Sequence, residues 1–182
     1  MARNTLSRSM HDLGLAAWFG GTLANAVALN AAAGAASTHR DAGAVANIGW
    51  DRWTPVNAVA IGAHLVGSVG QIMANTDRIS NQQGVAGMTV LKTGVTAAAL
   101  GATAYSRVLG KKVSQHQDVP AESGTTPAPE TPSDVAAAQR QLSMLQWAIP
   151  ALTGALVVVT SFAGEQQRAS EVHKGVIGRF TN

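Results

Sequence analysis

The chain has 182 residues, no cysteine and a formal net charge of +3. The missing cysteines exclude disulfides, iron–sulfur clusters and cysteine-ligated zinc. The positive charge is dispersed, with no basic run longer than Lys111-Lys112. Nucleic-acid-binding domains instead cluster their basic residues into a patch or stripe, so no nucleic-acid partner is expected.

Charged residues are concentrated in connecting segments and near the chain ends. Residues 13–38, 53–76 and 141–164 carry no Asp, Glu, Lys or Arg, and residues 79–106 carry only Lys92. A helix needs about 20 residues to cross the hydrocarbon core, so each stretch is long enough. The pattern predicts an all-α, four-helix transmembrane bundle in a lipid bilayer. Because these stretches are rich in Ala, Gly and Thr, each inserts only marginally alone, and a soluble bundle of Ala-rich helices stays open as an alternative.

The first predicted span covers residues 10–35. Arg3 and Arg8 precede it and the small residues 31–36 follow, which is also the layout of a cleaved signal peptide. The apolar stretch is longer than the usual signal-peptide core, which favours a retained first span.

The second and third predicted spans cover residues 55–75 and 84–109. We expect Thr54 to cap the second span and Pro55 to occupy its first turn. The tryptophans in residues 50–53 suit the membrane–water interface just before it. The turn between the two spans is short, which predicts that they pack as antiparallel neighbours.

Residues 113–132 are rich in Ser, Gly, Thr and Pro. This composition predicts a flexible linker, too polar to pack a core. The fourth predicted span covers residues 136–164, and residues 165–182 have the spacing of a short amphipathic tail. Four spans place both termini on the same side. The positive charges of the two sides tie, and the first helix favours cytoplasmic termini.

Polar side chains recur every seven residues in each predicted span, which places each set on one helix face. Polar faces are costly in lipid unless they meet another helix or water, so we expect a polar interior stripe. A period nearer 3.5 than 3.6 predicts left-handed crossing. Hydrogen bonding between helices and a wet pathway both explain the stripe. The repeat comprises His11, Trp18, Asn25; Asn57, His64, Gln71; Thr89, Thr96, Thr103; and Gln139, Gln146, Thr153, Thr160.

His64 and Lys92 are the two ionisable residues deepest in the predicted spans, at similar depth on the second and third. Structural pairing and proton transfer are both open to them. Lys92 is also placed to pair with Glu165 at the end of the fourth span. The candidate polar interior residues are His64, Lys92, Asn57, Gln71, Asn25 and Gln146.

No cofactor or metal is expected from these residues. A haem between helices needs two axial ligands at matching depth, and only His64 is predicted inside a span, with His11 at a helix end. The glycine-rich segments lack the Lys-Ser or Lys-Thr of a phosphate loop, and no carboxylate pair falls in a span. We therefore expect a protein that is not an enzyme.

Two resemblances accompany these patterns. Residues 11–21, with His11 at the start and Trp18-Phe19-Gly20-Gly21 about two turns later, resemble the first helix of copper-resistance D-like membrane proteins. Through residues 49–57, 104–110 and 145–151, the whole chain resembles an uncharacterised group of actinobacterial four-helix integral membrane proteins. This resemblance implies a multi-pass protein of the bacterial plasma membrane and no particular activity.

Two functions are expected on these grounds. The first is a non-enzymatic structural or accessory component of a membrane complex, with other membrane proteins or a second copy of the chain as partner. The alternative is a small transporter or proton-relay protein that uses the polar groups inside the bundle.

Overall fold

A computed structural model describes residues 4–82, 84–115 and 119–165. Four long apolar helices pack as a bundle, and each is long and apolar enough to cross a membrane. The predicted all-α, four-helix membrane architecture is therefore confirmed, and the even number of spans places both termini on one side. The amphipathic tail predicted for residues 165–182 lies, beyond Glu165, outside the described residues. The four spans are Thr5–Ala33, His39–Ala74, Val85–Ser114 and Ser133–Glu165.

The first span changes its helical geometry part of the way along. It comprises α1 (Thr5–Ala24), a π-helical turn (Asn25–Leu29) and α2 (Asn30–Ala33). The backbone N–H of Asn30 bonds to the carbonyl of Asn25, five residues earlier. One extra residue in this turn rotates all later side chains around the helix axis. Asn30 is consequently buried, whereas Asn25 is only half-buried.

The second span, α3 (His39–Ala74), begins sixteen residues before its predicted start at Pro55. Its N-cap is Thr38, whose side-chain oxygen accepts a hydrogen bond from the backbone N–H of Asp41 at 3.1 Å. The predicted start was wrong because this cap and the apolar residues after it begin the helix earlier.

Pro55 therefore lies inside α3. A proline has no N–H to donate to the carbonyl four residues earlier, here that of Asp51. The neighbouring Thr54 is not the predicted cap but donates its hydroxyl to the Trp50 carbonyl at 2.8 Å. The interruption falls close to the predicted membrane interface, where water can satisfy a freed carbonyl.

A short helix, α4 (Thr76–Asn81), and a tight turn lead into the third span, α5 (Val85–Ser114). Gly84 precedes α5 with a φ of 83°. This left-handed conformation is readily adopted by glycine and strained for residues with a side chain, so Gly84 sets the direction of the third span.

The segment predicted as a flexible linker is packed where the structure describes it. β1 (Ala121–Ser123) pairs antiparallel with β2 (Thr126–Pro127), and Val119, Ala121 and Ala128 are buried. Val119 joins an apolar cluster with residues of the third span and of α6 (Ser133–Glu165). These apolar residues, spaced among the Ser, Thr and Pro, anchor the hairpin, which is why composition alone gave the wrong expectation.

The spans pack in the spatial order second, first, fourth, third. The first span packs against the second and the fourth, and the third packs against the fourth. The second and third spans do not pack as antiparallel neighbours, so that prediction was wrong. The cause lies in the connection between them, since α4 and Gly84 separate the two helix ends. A groove remains between the second and third spans, with the first and fourth as its floor. Left-handed crossing and a continuous polar stripe stay predictions.

Candidate functional site

The groove between the second and third spans contains two cavities. The near cavity, about 770 Å³, lies on the side of the chain termini. The far cavity, about 300 Å³, lies towards the hairpin. Leu100 lines both. Leu100 belongs to a central apolar layer. This layer consists of the buried residues Trp18, Ala60 and Ala99, with Ile61, Leu100 and Leu152 packed against them. The groove is thus divided by one apolar layer into two chambers.

Charged groups collect in the near cavity. Arg8, Asp12, Arg78 and Lys92 line it, contributed by the first span, α4 and the third span. The charge of Lys92 interacts with those of Asp12 and Arg8. The remaining lining is largely apolar, so the cavity has one polar region and one hydrocarbon-like region. Neutral polar residues that also line it are Ser68, Gln71, Asn75, Thr89, Thr93, Thr96, Thr160 and Ser161.

A pair of buried histidines lies beside the near cavity. His11 and His64 are each 1% exposed, and their ring centroids are 4.5 Å apart with the rings tilted by 45°. His64 Nδ1 lies 3.4 Å from the His11 carbonyl oxygen, to which it donates as Nδ1–H. His11 Nδ1 lies 2.7 Å from a carboxylate oxygen of Asp12. Asp12 thus bonds to the ring of His11, whereas His64 bonds to the backbone of His11.

The Nε2 atoms of the two histidines differ from the Nδ1 atoms in their hydrogen bonding. Within the described part of the chain, neither His11 Nε2 nor His64 Nε2 has a hydrogen-bond partner. His11 lines the near cavity, and His64 packs with its ring centroid 6.1 Å from that of Trp18. A buried nitrogen without a partner is costly, so the His11 nitrogen favours a polar group inside the cavity.

Two glycines allow the histidines to meet. A Cβ at Gly14 would collide with the backbone of Ala60 and His64, and one at Gly67 would collide with the backbone of Ser7 and His11. Backbones this close leave room only for hydrogen at these positions. The first and second spans therefore cross tightly where the two rings lie.

The sequence predicts His11 at a helix end. Because α1 begins at Thr5, His11 instead lies nearly two turns inside the helix and faces His64. The helix start could not be read from the sequence, since Asn4 has no side-chain capping hydrogen bond. Among the residues that the structure describes, no group of three or more His, Asp or Glu is placed to hold a metal ion.

The other candidate residues are distributed over both chambers. Lys92 and Gln71 line the near cavity, whereas Asn57 and Gln146 line the far one. Asn25 lines neither of these two cavities. The residue before Glu165 lines the near cavity, and the Lys92–Glu165 ion pair stays a prediction.

Unsatisfied polar atoms are a feature of the far cavity. Asn57 Oδ1, Thr103 Oγ1 and Trp53 Nε1 are buried and have no hydrogen-bond partner among the described residues. All three residues line this cavity. Asn57 belongs to the second span and Thr103 to the third, so the two walls present hydrogen-bonding groups towards the same space.

Asn30 connects the far cavity to the rest of the fold. Its Nδ2 donates to Gln146 Oε1 at 2.6 Å, and its Oδ1 accepts from Trp50 Nε1 at 3.0 Å. Its backbone carbonyl accepts from the N–H of Gly124 at 3.2 Å. One residue thus links the first, second and fourth spans through its side chain and the hairpin through its backbone carbonyl. The seven-residue repeat pointed to Asn25 instead, because the π-helical turn between the two residues leaves no signal in the sequence.

Exposed ion pairs lie at the far end of the bundle. His39 Nδ1 lies 3.3 Å from Glu130 Oε2 and joins the start of the second span to the segment after the hairpin. A hydrogen bond from its own backbone N–H, and then the His39 side chain, lower the pKa of the Glu130 carboxyl. Across the mouth of the groove, Arg107 lies 3.3 Å from Asp51. Since the side chains are exposed, each pair contributes little to stability.

The fold defines a class: a multi-pass integral membrane protein whose four candidate spans pack as a bundle. No family model, curated protein or solved structure matches the chain.

Proposed function

We propose that this chain is a non-enzymatic accessory protein of the bacterial plasma membrane, and that a partner membrane protein packs against its groove. The observation that carries the proposal is the pair of facing, unsatisfied polar groups in the far cavity, Asn57 Oδ1 and Thr103 Oγ1. Hydrocarbon offers these atoms no hydrogen bond. A partner transmembrane segment that carries Ser, Thr, Asn or Gln supplies the missing donors and acceptors.

The exposure of the third span supports the same proposal. Only 6% of its most apolar window is buried within the chain, compared with 28% in the first span. Gly87, Gly94 and Gly101 have open space where a Cβ would lie, so another helix can approach this span closely. The resemblance to actinobacterial four-helix membrane proteins and the first-helix charge pattern favour a plasma-membrane location with cytoplasmic termini.

Photo-crosslinking in native membranes tests the partner. A photoreactive residue at Asn57 faces the groove, whereas one at Val59, which is 73% exposed on the same helix, faces outward. We expect a discrete protein adduct from Asn57 and the same adduct from Thr103, with none from Val59. Mass spectrometry of the adduct identifies the partner or, at twice the mass of the chain, a second copy.

Because the chain contains no cysteine, a single introduced cysteine can be labelled specifically, and its labelling can reject the proposal. In native membranes the partner should protect Asn57→Cys from a water-soluble maleimide. Rapid, complete modification, together with no discrete adduct from Asn57 or Thr103, would show that the groove is open to water and would reject the accessory function.

A proton-relay or small-transporter function is the second candidate, favoured by the ring contact of His11 with His64 beside Asp12. Histidine is the side chain most often used to exchange protons, and this pair lies between an exposed carboxylate and Trp18 of the central apolar layer. We expect His64→Leu and Lys92→Leu to abolish proton uptake by proteoliposomes under this hypothesis, with His39→Leu, outside the groove, as the control. Equal uptake by all these variants would reject the relay.

A further inference from the structure

We propose that the near cavity binds an anionic phospholipid, with its phosphate among Arg8, Arg78 and Lys92 and an acyl chain along the apolar lining. The inference rests on the proposed function to the extent that the groove is a binding surface. It adds the chemical class of the ligand that occupies the near cavity.

The charged lining of the cavity favours an anion. Among the described residues, three with cationic side chains, Arg8, Arg78 and Lys92, and one with a carboxylate, Asp12, line it. Basic pockets between transmembrane helices bind anionic headgroups.

The carboxylate and one of the cations are held in place by neighbouring groups. Asp12 accepts a hydrogen bond from His11 Nδ1 at 2.7 Å, which directs part of its charge towards the histidine. Arg78 donates to Gln82 Oε1 at 3.0 Å and to Asn75 Oδ1 at 3.3 Å. These amide oxygens hold the guanidinium at the edge of the cavity, where its positive charge attracts a phosphate.

His11 adds a second polar contact. With Nδ1–H donating to Asp12, its Nε2 is an acceptor, buried in a side chain that is 1% exposed and lines the cavity. The phosphodiester of a lipid has no hydrogen to offer this atom, whereas a headgroup hydroxyl does. Phosphatidylglycerol, an anionic phospholipid with such hydroxyls, is therefore the probe for this site.

The rest of the cavity suits an acyl chain. Leu65, Val69 and Ile72 of the second span and Val157 of the fourth line it, and Leu100 lies at its inner end. The volume of about 770 Å³ falls within the range of about 300–1,000 Å³ that is usual for small-molecule cavities. Since the second and third spans do not pack together, a lipid reaches the cavity sideways from the bilayer.

Lipid binding by the purified protein in detergent tests the assignment. Native mass spectrometry compares phosphatidylglycerol with phosphatidylethanolamine of the same acyl chains. We expect phosphatidylglycerol to bind more tightly, and the double variant Arg78→Gln/Lys92→Gln to weaken its binding about tenfold or more. Arg140→Gln, an exposed cation at the far end, is the matched control and should leave binding unchanged.

Three outcomes would overturn the inference. One is equal affinity for both lipids in the wild type. Another is displacement of phosphatidylglycerol by inorganic phosphate at equal concentration, which would assign the site to a free anion. The third is unchanged binding of phosphatidylglycerol by the double variant. The elution volume and the melting temperature of this variant, both measured without lipid, show whether it is folded.

A photoreactive residue in the purified protein distinguishes this inference from the proposed function. Thr89 lines the near cavity, whereas the next residue, Val90, is 72% exposed. We expect a lipid adduct from Thr89 and none from Val90. A protein adduct from Thr89 would overturn the lipid while leaving the accessory function intact. Lipid binding at the near cavity together with no protein adduct from the far cavity would overturn the accessory function and leave the lipid inference intact.

Discussion

His11 and His64 are 53 positions apart in the sequence, yet their ring centroids lie 4.5 Å apart in the centre of the bundle. Their contact exists because the first and second spans cross at Gly14 and Gly67. The crossing also orients the first span so that Asp12 and His11 border the near cavity. The tight crossing and the polar cavity are therefore two consequences of one helix packing.

Gly67→Ala tests the crossing. The added Cβ meets the backbone of His11 and Ser7, and overpacking of this kind costs about 1–3 kcal/mol. We expect a lower melting temperature in detergent. Gly94→Ala is the control, because it has open space around its Cβ position and alanine favours a helix by up to about 1 kcal/mol. Equal melting temperatures for the two variants would contradict the crossing.

Asn30→Ala tests the connection at the far cavity. The variant leaves Trp50 Nε1 without its acceptor and Gln146 Oε1 without its donor. An unsatisfied buried group costs about 1–3 kcal/mol. We expect destabilisation of this order and faster cleavage by a glutamate-specific protease at Glu122 and Glu130, which are exposed. Asn25→Ala should have a much smaller effect, and the opposite ranking would show that Asn30 is not the connecting residue.

The hairpin attachment should depend on pH through Glu130. The pKa of this carboxyl is lowered in the folded protein, so its contribution is present above the ordinary value of 4.5 and is lost as the pH falls through the lowered pKa. Amide hydrogen exchange in residues 119–131, corrected for intrinsic rates, should therefore accelerate in acid. Glu130→Gln should remove this pH dependence. An identical pH response in wild type and variant would refute the role of Glu130.

The ion pair between Asp51 and Arg107 should be energetically minor. Its side chains are 56% and 37% exposed, and exposed pairs contribute about 0–1 kcal/mol. We expect Asp51→Asn to change the melting temperature less than Asn30→Ala does. A larger loss would mean that this pair, rather than the Asn30 hydrogen bonds, holds the far end together.

The number of spans and their approximate positions could be predicted from the sequence, because lipid imposes long uncharged segments. The arrangement of the spans could not. The gap between the second and third spans depends on α4 and on the positive φ of Gly84, and a short connection suggested direct packing.

Individual site residues were predictable only where helix register stayed regular. Asn57 and Gln71 line the groove as members of the seven-residue repeat, and Lys92, outside that repeat, was singled out by its charge and lines the groove as well. Asn30 was missed because the π-helical turn changes the register by one residue. His11 was misplaced because nothing at Asn4 signals the helix start.

The partner and the lipid proposed for the groove both require that the four helices cross the bilayer. Single cysteines at exposed positions between spans test this directly, since the chain has no cysteine of its own. Ser37 and Gln115 lie on one side of the bundle and Thr76 on the other. In intact cells, an impermeant maleimide should label Ser37→Cys and Gln115→Cys but label Thr76→Cys only after lysis, if the termini are cytoplasmic; the reverse pattern would keep the four spans and invert them. Equal labelling of all three positions in intact cells, or recovery of the protein from the soluble fraction without detergent, would contradict the membrane-spanning bundle.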